Sequence, residues 1–80
     1  MDETQKRLAG CFQVVFPGMP VGTIPSASQQ TVPEWDSVAA ITMVSVVEDE
    51  FGVELDLDDL ADLDSFEKLH AYVENRLRVA

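Results

Sequence analysis

Eighty residues with a 46% hydrophobic share are enough for one domain, residues 1–80, around a thin core. Fifteen Asp and Glu against five Lys and Arg give a net charge of −10, which disfavours nucleic acid and anionic lipid and leaves basic protein surfaces or divalent cations as partners. No apolar run nears the roughly 20 residues of a membrane span, the polar string Met1-Asp2-Glu3-Thr4 has no leader character, and Cys11, the only cysteine, cannot form an internal disulfide; a cytoplasmic location and a monomer are expected.

Asp2 with Gln5 three positions on forms a capping pair. Leu8, Cys11, Phe12 and Val15 then recur at helical spacing until Pro17-Gly18 breaks the run. Residues 17–36 hold all four prolines and show no period, so a long loop is expected, pinned to the helices by Met19, Val21, Ile24, Val32 and Trp35. Asp36 or Ser37 caps a second helix that reaches about Phe51 and stops at Gly52. This segment is rich in β-branched residues, but roughly fifteen residues is too long for a strand in so small a domain. Leu57-Asp58-Asp59-Leu60 reads as a short helical turn with both leucines inward. Asp64-Ser65-Phe66-Glu67 is a D-x-x-E capping box for a last helix, which places Phe66, Leu69, Val73 and Leu77 on one face and Arg76 and Arg78 at its negative end. The expected fold is an all-α four-helix bundle: three main helices, one short one, and a long loop between the first and second.

Ser37 follows a loop and opens a helix. A serine there is ordinarily a cap, but a phosphodiester on its hydroxyl would also be favoured by the free amides and dipole of a helix N-terminus. There is no G-x-S-x-G elbow, and no motif ties His70 to Ser37, so a hydrolase nucleophile is not indicated. On the second helix, Met43, Val47 and Phe51 read as core. Ser37, Ile41 and Ser45 run down another face.

Asp36-Ser37-Val38, followed eleven positions after the serine by Glu48-Asp49-Glu50-Phe51-Gly52-Val53-Glu54-Leu55, resembles the acyl carrier protein family. The Asp- and Leu-rich short helix and the Asp64-Ser65-Phe66 start of the last helix are similar too. The resemblance implies that Ser37, flanked by Asp36, carries a 4′-phosphopantetheine arm donated by coenzyme A through a phosphopantetheinyl transferase. The arm's thiol would hold an acyl or aminoacyl group as a thioester for partner enzymes with basic patches, and the chain itself would be no enzyme. It also implies a docking stripe of Val38, Ile41 and Val46 with Glu48 and Asp49 at its charged end. Val38, Ala39, Thr42 and Trp35 stand where central fatty-acid carriers usually have leucine, two acidic residues and glycine, which points to a specialised carrier. The alternative is an unmodified acidic protein-interaction module of the same fold.

No metal site is expected. The aspartates from Asp56 to Asp64 lack the glycine that a calcium loop needs at its sixth position. Nothing pairs with His70 at metal-ligand spacing, and Cys11 reads as a small core residue.

Overall fold

A computed structural model describes residues 2–79, with side chains through Arg78; Met1 of the N-terminal string and Ala80 lie outside the described residues. The first helix, α1 (Glu3–Val15), opens on the expected capping box. Asp2 Oδ1 accepts from the Gln5 amide at 2.7 Å, and Gln5 Oε1 accepts from the Asp2 amide at 3.0 Å. Pro17 offers no amide to continue the helix, so it closes with the Phe16 amide on the Phe12 carbonyl at 2.7 Å.

The loop after α1 has more internal order than its composition suggested. Val21–Ser26 forms a 3-10 helix, whose tighter turn tolerates the short run around Pro25. Ile24, Val32 and Trp35 are buried, as expected of pinning residues, while Val21 is 56% exposed and pins nothing. Ser28 and Ser65 then pair as an isolated antiparallel bridge. The Gln29 amide donates to the Asp64 carbonyl at 2.9 Å, and the Phe66 amide to the Ala27 carbonyl at 2.9 Å.

The second helix, α2 (Ser37–Phe51), ends where expected. Gly52 is left-handed, with φ +66°, and its amide reaches the Glu48 carbonyl at 2.8 Å. A Cβ at Gly52 would meet no neighbour, so only the backbone conformation resists substitution. Gly52→Ala is therefore expected to cost about 1 kcal/mol in urea unfolding, and Gly52→Asn less, because asparagine tolerates this region better.

A second 3-10 helix spans Leu57–Asp62, with the Asp56 carboxylate accepting from the Asp58 amide. Its leucines do not both point inward: Leu57 is 64% exposed, Leu60 is half-buried and Leu63 is buried. The last helix, α3 (Phe66–Val79), also starts differently from the expected box. Ser65, not Asp64, supplies the capping oxygen, accepting from the Lys68 amide at 3.1 Å. The bridge to Ser28 keeps the chain extended through Ser65, so the helix begins one residue later. Asp64 instead pairs with the Lys68 ammonium at 3.0 Å. Arg76 does more than face the helix end: it donates to the Tyr72 hydroxyl at 2.6 Å, and that hydroxyl donates to Asp59 at 2.9 Å, tying α3 to the second 3-10 helix. Leu77 lies at the rim, 38% exposed.

Among the described residues the all-α bundle therefore has three long helices and two 3-10 helices. Arg7 of α1 reaches Glu50 and lies 4.5 Å over the Phe51 ring, while Phe16 meets Trp35, so α1 and α2 run antiparallel. Phe12 sits at the centre, with Phe66 and Trp35 each 5.3 Å away, edge-on. None of the described helices is long and apolar enough to cross a membrane.

Cys11 lies in the α1 core face, as expected. Burial pushes its thiol from 9.0 up to about 11, with Glu50 adding to the rise and Arg7 opposing it. The folded state therefore keeps the proton that the unfolded chain loses above pH 9. Below pH 9 Cys11 contributes no pH dependence; between pH 9 and about 11 it makes stability fall. Alkylation of the native protein at neutral pH is expected to be slow and to accelerate only with unfolding.

Candidate functional site

The site is built around the start of α2. Trp35 is buried, packed edge-on to Phe12 at 5.3 Å and 85° and tilted on Phe16 at 6.0 Å, which fixes the chain two residues before Ser37. Its amide donates to the Val32 carbonyl at 3.0 Å, while its indole Nε1 is buried with no hydrogen-bond partner among the described residues.

Sequence spacing left the cap to Asp36 or Ser37. The structure gives it to Asp36, whose Oδ1 accepts from the Ala39 amide at 2.9 Å and whose carbonyl takes the Ala40 amide at 2.9 Å. Ser37 becomes the first helical residue. It is exposed, and among the described residues its hydroxyl makes no hydrogen bond. The ordinary reason for a serine at this point, capping, is thus taken by its neighbour.

The first turn of α2 contains no acidic residue. Only Asp36 offsets the positive end of the helix dipole, leaving it open to a further anion. Val38 and Ile41 stand beside Ser37 at 73% and 56% exposure, unusually bare for large aliphatic side chains. Asp49 lies exposed farther along the helix.

Of the other two residues of the expected stripe, Val46 stands apart from Ser37, while Glu48, about 20° round the helix from it, shares its face. Nine positions at 100° each carry Val46 half a turn from Ser37, and it is half-buried against the core on the α1 side, beside Cys11 and Val14. Glu48 is half-buried and accepts from the Leu55 amide at 2.9 Å, so it holds the chain after Gly52. The helical wheel could have flagged Val46; the bond from Glu48 to Leu55 depends on how the chain folds back after Gly52 and has no sequence signal. Sequence spacing also gave His70 no partner, yet the fold brings Glu74 to 2.6 Å and Asp2 to 3.6 Å from its Nε2. The His70-to-Glu74 step of four residues was visible as a helical neighbour pair; Asp2 was not.

Beside the site, a groove of about 720 Å³ runs along the end of α1, walled by Val15, Phe16, Met19, Val32 and Pro33 and reaching Glu34.

Comparison with protein families matches residues 35–73 to the phosphopantetheine attachment site family. The matched span begins at Trp35, takes in all of α2 and ends at Val73 on the core face of α3. Comparisons with curated proteins and with solved structures gave no significant match. Domains of this family hold 4′-phosphopantetheine covalently and are generally not catalytic themselves. A helical bundle whose match to the phosphopantetheine attachment site runs from its buried tryptophan through α2 and into α3 is consistent with a member of the acyl carrier protein family.

Proposed function

We propose that Ser37 bears the phosphopantetheine arm and that the chain presents an acyl group on it as a thioester. The observation that carries this reading is the unoccupied hydroxyl at the first residue of α2. Within residues 35–73 the hydroxyls are those of Ser37, Thr42, Ser45, Ser65 and Tyr72. Thr42 donates to the Val38 carbonyl, Ser65 caps α3, and Tyr72 is held between Asp59 and Arg76. Ser45 is exposed but lies in mid-helix, where the backbone amides are already spent. Ser37 alone combines a free hydroxyl with a helix N-terminus that favours a phosphodiester.

The apolar walls of the neighbouring groove suit an acyl chain better than a charged aminoacyl group, which would lose its hydration there. Ala39 and Thr42 leave the upper half of α2 without carboxylates, which supports a specialised carrier over one serving enzymes whose basic patch spans the whole helix. Partners are a phosphopantetheinyl transferase and acyl-transferring enzymes that dock on Val38 and Ile41. Because Ile41 is exposed, Ile41→Ala is expected to leave stability within about 0.5 kcal/mol. It is also expected to slow transfer from the loaded protein roughly tenfold, as the loss of an apolar docking anchor does. Equal transfer rates would remove Ile41 from the docking surface.

The direct test is incubation with coenzyme A and a broad-specificity transferase, followed by intact-mass and fragment analysis. The expected result is a single phosphopantetheine adduct on the peptide bearing Ser37. An adduct on Ser45 would overturn the assignment, and no adduct would favour the unmodified interaction module.

A further inference from the structure

We infer that Asp2, His70 and Glu74 form a binding site for a divalent transition-metal ion, with Zn²⁺ the best fit, that fastens the N-terminus of α1 to α3. The inference does not depend on the carrier reading. The three residues each offer one ligand atom, and those atoms all lie within 4.8 Å of one another. His70 Nε2 stands 2.6 Å from Glu74 Oε1 and 3.6 Å from Asp2 Oδ2.

Each ligand is held by something other than the proposed metal. Asp2 spends Oδ1 on the Gln5 amide at 2.7 Å, which leaves Oδ2 facing the histidine. Glu74 Oε2 is 3.6 Å from Arg78, which leaves Oε1 facing the same nitrogen. The imidazole stacks on Phe66, with centroids 6.4 Å apart and planes 6° from parallel, so its ring plane is set by the core. Second contacts of this kind orient metal ligands in advance.

A second observation points the same way. His70 Nε2 is shielded from solvent and makes no hydrogen bond of acceptable geometry. Glu74 Oε1 lies 2.6 Å away without completing a hydrogen bond to it. A buried nitrogen facing two carboxylate oxygens without a directed bond to either is costly as it stands. A cation between the three atoms would satisfy it.

The donor set selects the ion. One imidazole nitrogen and two carboxylate oxygens suit a borderline divalent ion such as Zn²⁺, with water as fourth ligand, at about 2.0–2.2 Å. At those lengths tetrahedral ligand atoms stand roughly 3.4 Å apart. The Asp2 separation already matches, and the Glu74 separation must open by under about 1 Å, within reach of a side-chain adjustment. Magnesium and calcium favour six or more oxygen ligands and are poorly served here. The net charge of −10 attracts any cation, but that attraction does not distinguish among ions and gives the control.

The site lies at the opposite end of the bundle from Ser37, because α1 and α2 are antiparallel and Asp2 caps the far end of α1. It would act as a staple: an ion that binds only the folded state raises its melting temperature by mass action.

The test uses the full chain without a histidine tag, in a Cys11→Ala background that removes the thiol as an alternative ligand. Zn²⁺ titration is followed by calorimetry and thermal melting, with Mg²⁺ at equal ionic strength as the control. The expected result is one equivalent of Zn²⁺ bound and, at a hundredfold excess over Kd, a rise in Tm of roughly 10 °C or more beyond that with Mg²⁺. His70→Asn and the isosteric Glu74→Gln should each abolish the Zn²⁺-specific rise while keeping the Mg²⁺ response. Should His70→Asn fold poorly, Glu74→Gln decides the question alone. A Zn²⁺ shift no larger than that of Mg²⁺, or Zn²⁺ binding that survives either substitution unchanged, would overturn the proposal.

Discussion

Ser37→Ala is expected to abolish phosphopantetheine loading completely while leaving the helical circular dichroism spectrum and the urea midpoint nearly unchanged. The separation of the two effects follows from who caps α2. Asp36 accepts the Ala39 amide, and the Ser37 hydroxyl holds no hydrogen bond among the described residues, so removing it breaks no contact there. Alanine is a good helix former at a first helical position, and a surface change of this kind stays within about 0.5 kcal/mol. Asp36→Ala supplies the contrast: it loses the cap and about 1 kcal/mol of stability, yet keeps the Ser37 hydroxyl. Loading is read by intact mass and stability by urea unfolding. A mass gain that persists in Ser37→Ala would refute the site, and a collapse of that variant would mean that the hydroxyl is structural after all.

Trp35→Ala is expected to carry a large stability cost, about 3–5 kcal/mol. A domain of this size has a total on the order of 4–12 kcal/mol, so much of the population would unfold or become partly disordered at the loop. The ring is buried between Phe12 and Phe16, and its loss leaves a cavity that the proline-rich loop cannot collapse to fill without dragging Asp36 with it. Trp35→Phe separates packing from polarity. It retains most of the aromatic contact and removes the unpartnered Nε1–H, whose burial is unfavourable, so its cost is expected to be under about 1.5 kcal/mol. Circular dichroism in urea measures both, since Trp35 is the sole tryptophan. If Trp35→Ala unfolds within about 1 kcal/mol of the wild type, the indole does not anchor the loop. Reduced loading in a still-folded Trp35→Ala would show that the same anchor positions Ser37.

The start of α1 and the end of α2 were legible in the amino-acid string because they are decided within a few residues. Asp2 and Gln5 satisfy each other's amides, and Gly52 is the residue that accepts a left-handed turn most cheaply. The core face of α2 followed from spacing alone: Met43, Val47 and Phe51 are buried as the wheel requires. The candidate Ser37 was legible for the same reason, since a D-S-V string ahead of a helical run needs only local chemistry to be read.

Tertiary structure decided what depends on a distant partner. The bridge between Ser28 and Ser65 moved the cap of α3 from Asp64 to Ser65, because extended backbone there cannot also begin a helix. The Leu55 amide engages Glu48, which keeps its place on the Ser37 face, and the packing of α1 against α2 half-buried Val46. His70 looked isolated in sequence because its second carboxylate, Asp2, comes from the other end of the chain. Local signals fix which backbone groups are satisfied by their neighbours; only the folded chain decides which side chains remain free, and at Ser37 that freedom is what supports the proposed attachment site.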